Sequence, residues 1–147
     1  MDNKKEYAVE VENLNIKFVL EAETVEAVNN LSFTLEKGKT LGLVGETGAG
    51  KTTTALSLLK LVPHPGVVTC DKLKVCGKDV MDLNAGALSK FRGTDIAMIF
   101  QDPMTSLNPV FPVGEQIAAG IKLHNDVTQE EAMKRAEDLL ELVGIPR

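Results

Sequence analysis

A glycine-rich stretch at residues 45–52, GETGAGKT, combines the residue types that bind phosphate groups. It fits the pattern G-x-x-x-x-G-K-[ST], in which glycines let the backbone wrap so that successive N–H groups point at one anion. Lys51 is predicted to reach the β- and γ-phosphate oxygens, and the Thr52 hydroxyl to ligate Mg²⁺. The predicted contacts to a nucleoside triphosphate are Gly45, Glu46, Thr47, Gly48, Ala49, Gly50, Lys51, Thr52 and Thr53.

This pattern requires a strand before it and a helix after it, and the flanking sequence predicts both. Residues 41–44 are a short apolar run, as in a strand buried on both faces. Residues 51–62 are predicted to form a helix that Pro63 ends. The N-terminus of such a helix adds its positive dipole to the loop.

The rest of the N-terminal region is predicted to be mostly strand. Residues 7–35 largely alternate between apolar and polar types, which predicts half-buried strands, and a turn follows at 36–39. More strand is predicted over 67–80, a short helix over 84–91, and a second buried strand over 96–100. These elements predict an α/β fold.

The C-terminal third is predicted to be helical. Val113, Ile117 and Ile121 fall on one face of a first helix, and Thr128 with Glu131 forms a capping box that opens a second one. The predicted buried side of the second helix consists of Met133, Ala136, Leu140 and Val143, and Gly144 followed by Pro146 is its stop signal.

Composition limits the function classes. The net charge is −5, aromatic residues make up 4 %, and there is no Trp, which argues against a protein that binds nucleic acid as its main task. No apolar run approaches the roughly 20 residues that span a bilayer. We therefore expect a cytosolic chain unless a partner holds it at a membrane.

The glycine-rich pattern at 45–52 is known as the P-loop, and several classes of protein contain it. The segment after residue 96 distinguishes between these classes. The string AMIFQDPMTSLNPVF at 97–111 resembles the Q-loop of ATP-binding cassette (ABC) ATPases, in the branch of oligopeptide and dipeptide importers. GLVGETGAGKTT at 42–53 and VEAVNNLSFTLEKGKT at 25–40 agree with that branch. Nickel importer ATPases share much of this pattern, so they remain an alternative.

The resemblance implies a fold and its division. The expected fold is an α/β P-loop NTPase (RecA-like) core with an N-terminal antiparallel β-layer and the beginning of a helical subdomain, as a truncated domain. Residues 1–147 would be the N-terminal part of the nucleotide-binding domain. The β-layer and P-loop core up to the Q-loop would occupy 1–112, and the start of the helical subdomain 113–147.

The resemblance also assigns two residues outside the P-loop. The family's Q-loop glutamine lies near Mg²⁺ and the attacking water, and Gln101 occupies that position, so it is expected to contact the metal and, with Lys51, to serve catalysis. Family members stack an aromatic side chain on the adenine, and Phe18 in NLNIKF stands at the matching place. A strand aromatic buried in the core is the alternative for Phe18.

The implied activity is ATP hydrolysis, with ATP and Mg²⁺ as cofactors, that powers peptide import. The implied partners are a second ABC ATPase subunit in a homo- or heterodimer, membrane permease subunits, and indirectly a periplasmic or extracellular solute-binding protein. The implied location is peripheral, on the cytoplasmic side of the cell membrane.

The sequence contains no S-G-G-x-Q signature, no Walker B Asp with its catalytic Glu, and no switch His. We therefore expect the N-terminal half of a cassette ATPase that hydrolyses ATP poorly on its own. A non-transport cassette or P-loop enzyme, and a nucleotide-binding module without turnover, remain alternatives.

Overall fold

The computed structural model describes residues 6–102 and 106–145, which divide into one unit up to residue 96 and a second from residue 97. The first unit contains five strands and two helices: β1 (Tyr7–Val19), β2 (Thr24–Glu36), α1 (Lys51–Leu58), β3 (Gly66–Thr69), β4 (Lys72–Val75), β5 (Lys78–Asp79) and α2 (Ala85–Thr94). The second unit contains α3 (Val113–His124) and α4 (Gln129–Leu142).

The strands form one antiparallel sheet around β1. β1 pairs with β2 along one edge and with β3 and β4 along the other, and β5 extends the sheet from β4. This sheet confirms the predicted antiparallel layer. The predicted strand over 67–80 is present as three short strands, and the turn at 36–39 is present with Gly38 at φ 75°.

Two asparagines form β-bulges in the long hairpin of β1 and β2. Asn13 in β1 and Asn30 in β2 have φ angles of 51° and 50°, in the left-handed region that asparagine tolerates better than most residues. The pairing shifts by one residue at each of them. The Asn13 N–H donates to Ser32 Oγ and the Asn30 N–H to Asn15 Oδ1, both at 2.9 Å. Apolar side chains on both sides of the bulges therefore face one core.

That core lies between the sheet and the two helices of the first unit. Leu14, Ile16 and Leu73 of the sheet are fully buried, and Phe91 of α2 is 1 % exposed. α2 confirms the predicted helix, with Asn84 as N-cap: its side-chain oxygen accepts a hydrogen bond from the Ala87 N–H.

The two predicted buried strands at 41–44 and 96–100 are wrong for this structure. Neither segment forms a strand, and Val44 and Ile99 are 98 % and 97 % exposed. A strand exists through its pairing, and the only β-pairing of either segment within residues 6–102 and 106–145 is one isolated bridge between Arg92 and Ile96. The apolar pattern indicates burial on two faces, but the described residues supply no neighbouring strand.

The helix after the glycine bend is shorter than predicted, because it ends at Leu58 rather than near residue 62. Lys60 adopts a left-handed φ of 53°. The Lys60 N–H then donates to Ser57 O and the Leu61 N–H to Leu56 O, which is the Schellman pattern of helix termination. The turn therefore ends the helix before Pro63 can.

The second unit is a helical hairpin built on small residues. Ala118 of α3 and Ala132 and Ala136 of α4 are fully buried, with Ile117, Ile121, Val127 and Met133 packed around them. Val143, predicted on the buried side, is 71 % exposed because it lies beyond the last residue of α4. Gly144 has a φ of 84°, as expected of a stop, and Pro146 lies outside the described residues.

None of the helices in the described parts of the chain is long and apolar enough to cross a membrane.

The predicted capping box at the start of α4 is confirmed. Thr128 Oγ1 accepts from the Glu131 N–H, and the Glu131 carboxylate accepts from the Thr128 N–H at 2.9 Å. The hydrogen bonds from the Thr128 backbone and hydroxyl lower the pKa of Glu131 below its ordinary value of 4.5.

We predict that Glu131→Gln removes part of the acid sensitivity of α4. Because the folded pKa is depressed, the stabilisation is present above the unfolded pKa and is lost as the pH falls through the folded pKa. The difference in unfolding free energy between parent and variant should therefore shrink between about pH 5 and pH 3. Denaturant titrations across this range measure it, and a difference independent of pH would contradict the prediction.

Candidate phosphate-binding site

The glycine-rich loop forms a tight bend directly before α1. Gly48 and Gly50 adopt left-handed φ angles of 85° and 78°, which glycine reaches without the cost that a Cβ brings. The Ala49 N–H donates to Glu46 O at 3.2 Å, which closes the bend. Gly50 is the N-cap of α1 and has no side chain to cap it.

Gly50 fixes the bend against the sheet. A Cβ placed on Gly50 would lie 2.2 Å from the carbonyl oxygen of Ala27 and 3.0 Å from Val28 Cγ2, both in β2. Such a contact with backbone cannot be relieved by a rotamer change. The base of the loop is therefore held by a close approach of two main chains, whereas a Cβ on Gly48 would meet only open space.

The first turn of α1 presents unpaired amides. Over residues 6–102 and 106–145, no group accepts a hydrogen bond from the N–H of Gly50, Lys51, Thr52 or Thr53, whereas the Thr54 N–H donates to Gly50 O at 2.8 Å. The first turn contains no acidic residue. Unpaired N–H groups and the positive end of the helix dipole together favour an anion here.

Lys51 folds back over the loop. Its Nζ donates to Gly45 O at 2.7 Å and to Glu46 O at 2.6 Å. The ammonium group thus lies at the loop and not in the core, as the phosphate assignment requires. Both acceptors are neutral carbonyls, and a phosphate oxygen is a stronger partner for a cation.

The hydroxyl side chains of α1 differ in their surroundings. Thr52 is exposed, and within the described residues its hydroxyl has no hydrogen-bond partner. The buried Thr54 donates its Oγ1–H to Gly50 O at 2.9 Å, and the buried Ser57 donates to Thr54 O at 2.7 Å. The buried hydroxyls of Thr54 and Ser57 are therefore satisfied by carbonyls at the start of α1 and within it, a role that residue spacing did not predict.

The donor set agrees with a magnesium ion that binds together with phosphates. Among the side chains that the structure describes, no group of three or more His, Cys, Asp or Glu could hold a metal ion. Mg²⁺ commonly takes one or two protein oxygens and completes its coordination with waters and phosphate oxygens. The Thr52 hydroxyl fits that mode.

Phe18 is half-buried near the end of β1. It pairs with Val25 of β2 and with Gly66 of β3, and a Cβ on Gly66 would lie 3.0 Å from its Cε1 atom. The ring packs against the core cluster while part of it stays accessible. Both roles proposed for Phe18 from the sequence therefore stay open, and adenine stacking remains a prediction.

Gln101 belongs to the second unit, where it lies exposed in a bend. Gln101 begins a loop that runs to residue 112. Its described parts, 101–102 and 106–112, have no regular structure, as predicted, and 103–105 lie outside the described residues. Gln116 of α3 fixes this loop: its Oε1 accepts from the Asn108 N–H, and its Nε2 donates to Asn108 O and Phe111 O at 2.9 Å. The catalytic and metal roles of Gln101 remain predictions.

Known proteins of one family are similar to this chain in sequence. The sequence profile of the ABC transporter family matches residues 28–147. The glutathione import ATP-binding protein GsiA of Escherichia coli (strain K12) and that of Shigella flexneri are each 51 % identical to the chain over 142 residues. These matches cover 92 % of this chain but only 23 % of each relative's length.

A solved structure supports the fold class. The ATP-binding cassette MJ0796, in a dimeric post-hydrolysis state bound to ADP and Pi, is similar with a TM-score of 0.68 at 22 % identity. The similarity covers 91 % of this chain and 56 % of MJ0796. At this identity the likeness concerns the fold alone, and it confirms the α/β P-loop class with an antiparallel layer and helices.

We predict that Gly50→Ala damages the loop far more than Gly48→Ala does. Both substitutions force alanine into a left-handed conformation, which costs about 1–2 kcal/mol. Only the Gly50 variant adds the clash with Ala27 O, so its total loss of unfolding free energy should reach about 3 kcal/mol or more. Parallel denaturant unfolding of the two variants measures this, and equal losses would show that the close approach to β2 is unimportant.

Proposed function

Given that this chain belongs to the ABC transporter family, we propose that it is the ATP-binding part of an import ATPase. The observation that supports the proposal best is the bend at residues 45–50, whose following amides are unpaired and whose lysine lies beside them. In this proposal Gly45, Glu46, Thr47, Gly48, Ala49, Gly50, Lys51, Thr52 and Thr53 surround the phosphates of ATP.

The backbone and Lys51 would do the binding. The N–H groups from Gly50 to Thr53 would donate to phosphate oxygens, and Lys51 Nζ would exchange its two carbonyl partners for the β- and γ-phosphates. Thr52, with Gln101, would hold Mg²⁺, which when bound neutralises charge on the phosphates. Phe18 would stack on the adenine.

Hydrolysis needs an oriented water in addition to charge stabilisation. Lys51 would supply charge at the γ-phosphate, and Gln101 would orient groups around the attacking water. The 147 residues contain none of the family's signature, Walker B or switch motifs. We therefore propose that the chain by itself binds ATP with little turnover, and that ATPase activity belongs to a longer protein.

The proposed transported solute is a peptide. The relatives at 51 % identity are named for glutathione import, and glutathione is a tripeptide, so they agree with the importer branch that the sequence motifs resemble. A nickel importer of the same branch is the alternative. In either case the partners would be a second ABC ATPase subunit and membrane permease subunits, with a solute-binding protein acting on the permease, at the cytoplasmic face of the membrane.

A nucleotide-binding module without transport is the competing function. It would share the P-loop chemistry but would not respond to a permease. Reconstitution of the longer protein with its permease decides between them: peptide-dependent stimulation of ATP hydrolysis supports the importer, whereas hydrolysis that ignores both permease and peptide supports the module.

We predict that Lys51→Ala weakens Mg-ATP binding about 100-fold or more while the fold stays intact. The ammonium group serves the loop and the ligand, and loss of a charge-assisted contact of about 3 kcal/mol corresponds to such a factor. Isothermal titration calorimetry measures affinity, and circular dichroism checks the fold.

Lys39→Ala is the matched control, because it removes the same charge from an exposed position before the loop. The Mg-ATP affinity of this variant should stay within about two-fold of the parent's, because salt screens an exposed charge. Equal affinity of the Lys51 variant and the parent chain would refute the phosphate site.

A further inference from the structure

The C-terminal end of α1 is held as specifically as its N-terminal end. Beyond Leu58 the chain turns through Lys60, and within the described residues the carbonyl groups of Leu59 and Lys60 accept no hydrogen bond from a backbone N–H. The last turn of α1 contains no basic residue of its own. The partial negative charge at this end is therefore met from elsewhere in the unit.

Arg92 of α2 supplies the positive charge. Its Nε donates to Leu59 O at 2.9 Å and its Nη2 to Lys60 O at 2.8 Å, so one guanidinium group bonds two successive carbonyls. Among the residues that the structure describes, no other side chain donates to carbonyls in this turn. A planar guanidinium can make both bonds in one fixed geometry, which a lysine cannot reproduce.

The backbone of α2 departs from helical geometry at Arg92 and Gly93. Arg92 has a ψ of 124° and Gly93 a φ of 91°, both non-helical values. The Gly93 N–H donates to Ile96 O, and the Asp95 N–H to Phe91 O, so the broken turn is itself fixed next to the buried Phe91. The guanidinium therefore projects from a rigid site.

We propose that Arg92 is a positioning residue for the candidate phosphate site. α1 has only eight residues: Thr54 and Ser57 are buried, and Leu58 packs against the core of the sheet. Beside that packing, two contacts fix the ends of the helix: Gly50 against β2, and the Leu59–Lys60 carbonyls bonded to Arg92. If the second end is released, the helix can tilt about the first, and the amides of Lys51 to Thr53 change direction.

The test compares Arg92→Met and Arg92→Lys with the parent chain. Methionine keeps an unbranched stem but removes charge and donors, and lysine keeps the charge but not the paired geometry. Lys78→Met is the matched control, because it breaks the 2.7 Å ion pair with Asp95 in the adjacent turn, and within the described residues Lys78 forms no hydrogen bond or ion pair with α1.

The first readout is Mg-ATP affinity, measured well below the melting temperature of every variant; this readout rests on the proposed function. Arg92→Met should weaken binding by about 3- to 30-fold, Arg92→Lys by less, and Lys78→Met by under two-fold. A lowered melting temperature with unchanged affinity would mean that Arg92 merely stabilises the fold, and would overturn the proposal.

The second readout needs no ligand. Amide hydrogen exchange should accelerate in α1 of the Arg92→Met chain, while the amides of β1 and β2 and all those of the Lys78→Met chain keep the parent's rates. Unchanged exchange in α1 overturns the proposal whatever the affinity.

If the parent itself fails to bind Mg-ATP, the proposed function is wrong, and so is the effect of Arg92 on ligand binding. Hydrogen exchange still decides whether Arg92 holds α1. If Arg92→Met does not fold, Arg92→Lys decides by the same two readouts.

Discussion

The contact between the backbone of Gly50 and the carbonyl of Ala27 is the constraint on which the candidate site depends. No side chain fits between them, because a Cβ would lie 2.2 Å from that oxygen. The position of β2 therefore sets where the bend sits and where α1 begins. Val28, the other contact of Gly50, is 7 % exposed and belongs to the core of the sheet. The packing of the antiparallel layer therefore fixes the position of the loop through Ala27 and Val28.

The loop is prepared for an anion in one respect and must change in another. The amides at the start of α1 have no acceptor within the described chain, so an anion would break no intramolecular hydrogen bond of theirs. Lys51, by contrast, already bonds Gly45 O and Glu46 O. A bound phosphate would take the ammonium group from two neutral carbonyls, and the gain from a charged acceptor would drive that exchange. The loop therefore combines a set of unpaired backbone donors with one ammonium group that would have to exchange its partners.

Local signals predicted the elements whose cause is local. The capping box of Thr128 and Glu131, the N-terminus of α1 after Gly50, and the alternation of the long hairpin all appear where the sequence places them. The segments 41–44 and 96–100 did not form strands, because a buried strand is defined by neighbours and not by its own residues. The left-handed Lys60 that shortens α1 could not be predicted, since lysine carries no preference for that conformation. The geometry of the loop fits the phosphate site predicted from residue types, whereas Arg92 left no signal because its partners lie 33 and 32 residues away.

Structural similarity, the geometry of the loop and sequence identity each concern a different level of function. A TM-score of 0.68 at 22 % identity concerns the fold, which many chemistries share. The geometry of residues 45–53 concerns phosphate binding, because it depends on amides and an ammonium group and on no particular transported solute. The 51 % identity to importer ATPases concerns the branch, but over 23 % of their length. Binding can be local to one loop, whereas hydrolysis must bring a water, a base and a metal to one phosphorus atom from several segments. Under the proposed function, the loop at residues 45–53 would account for ATP affinity, and turnover would have to come from residues beyond that loop.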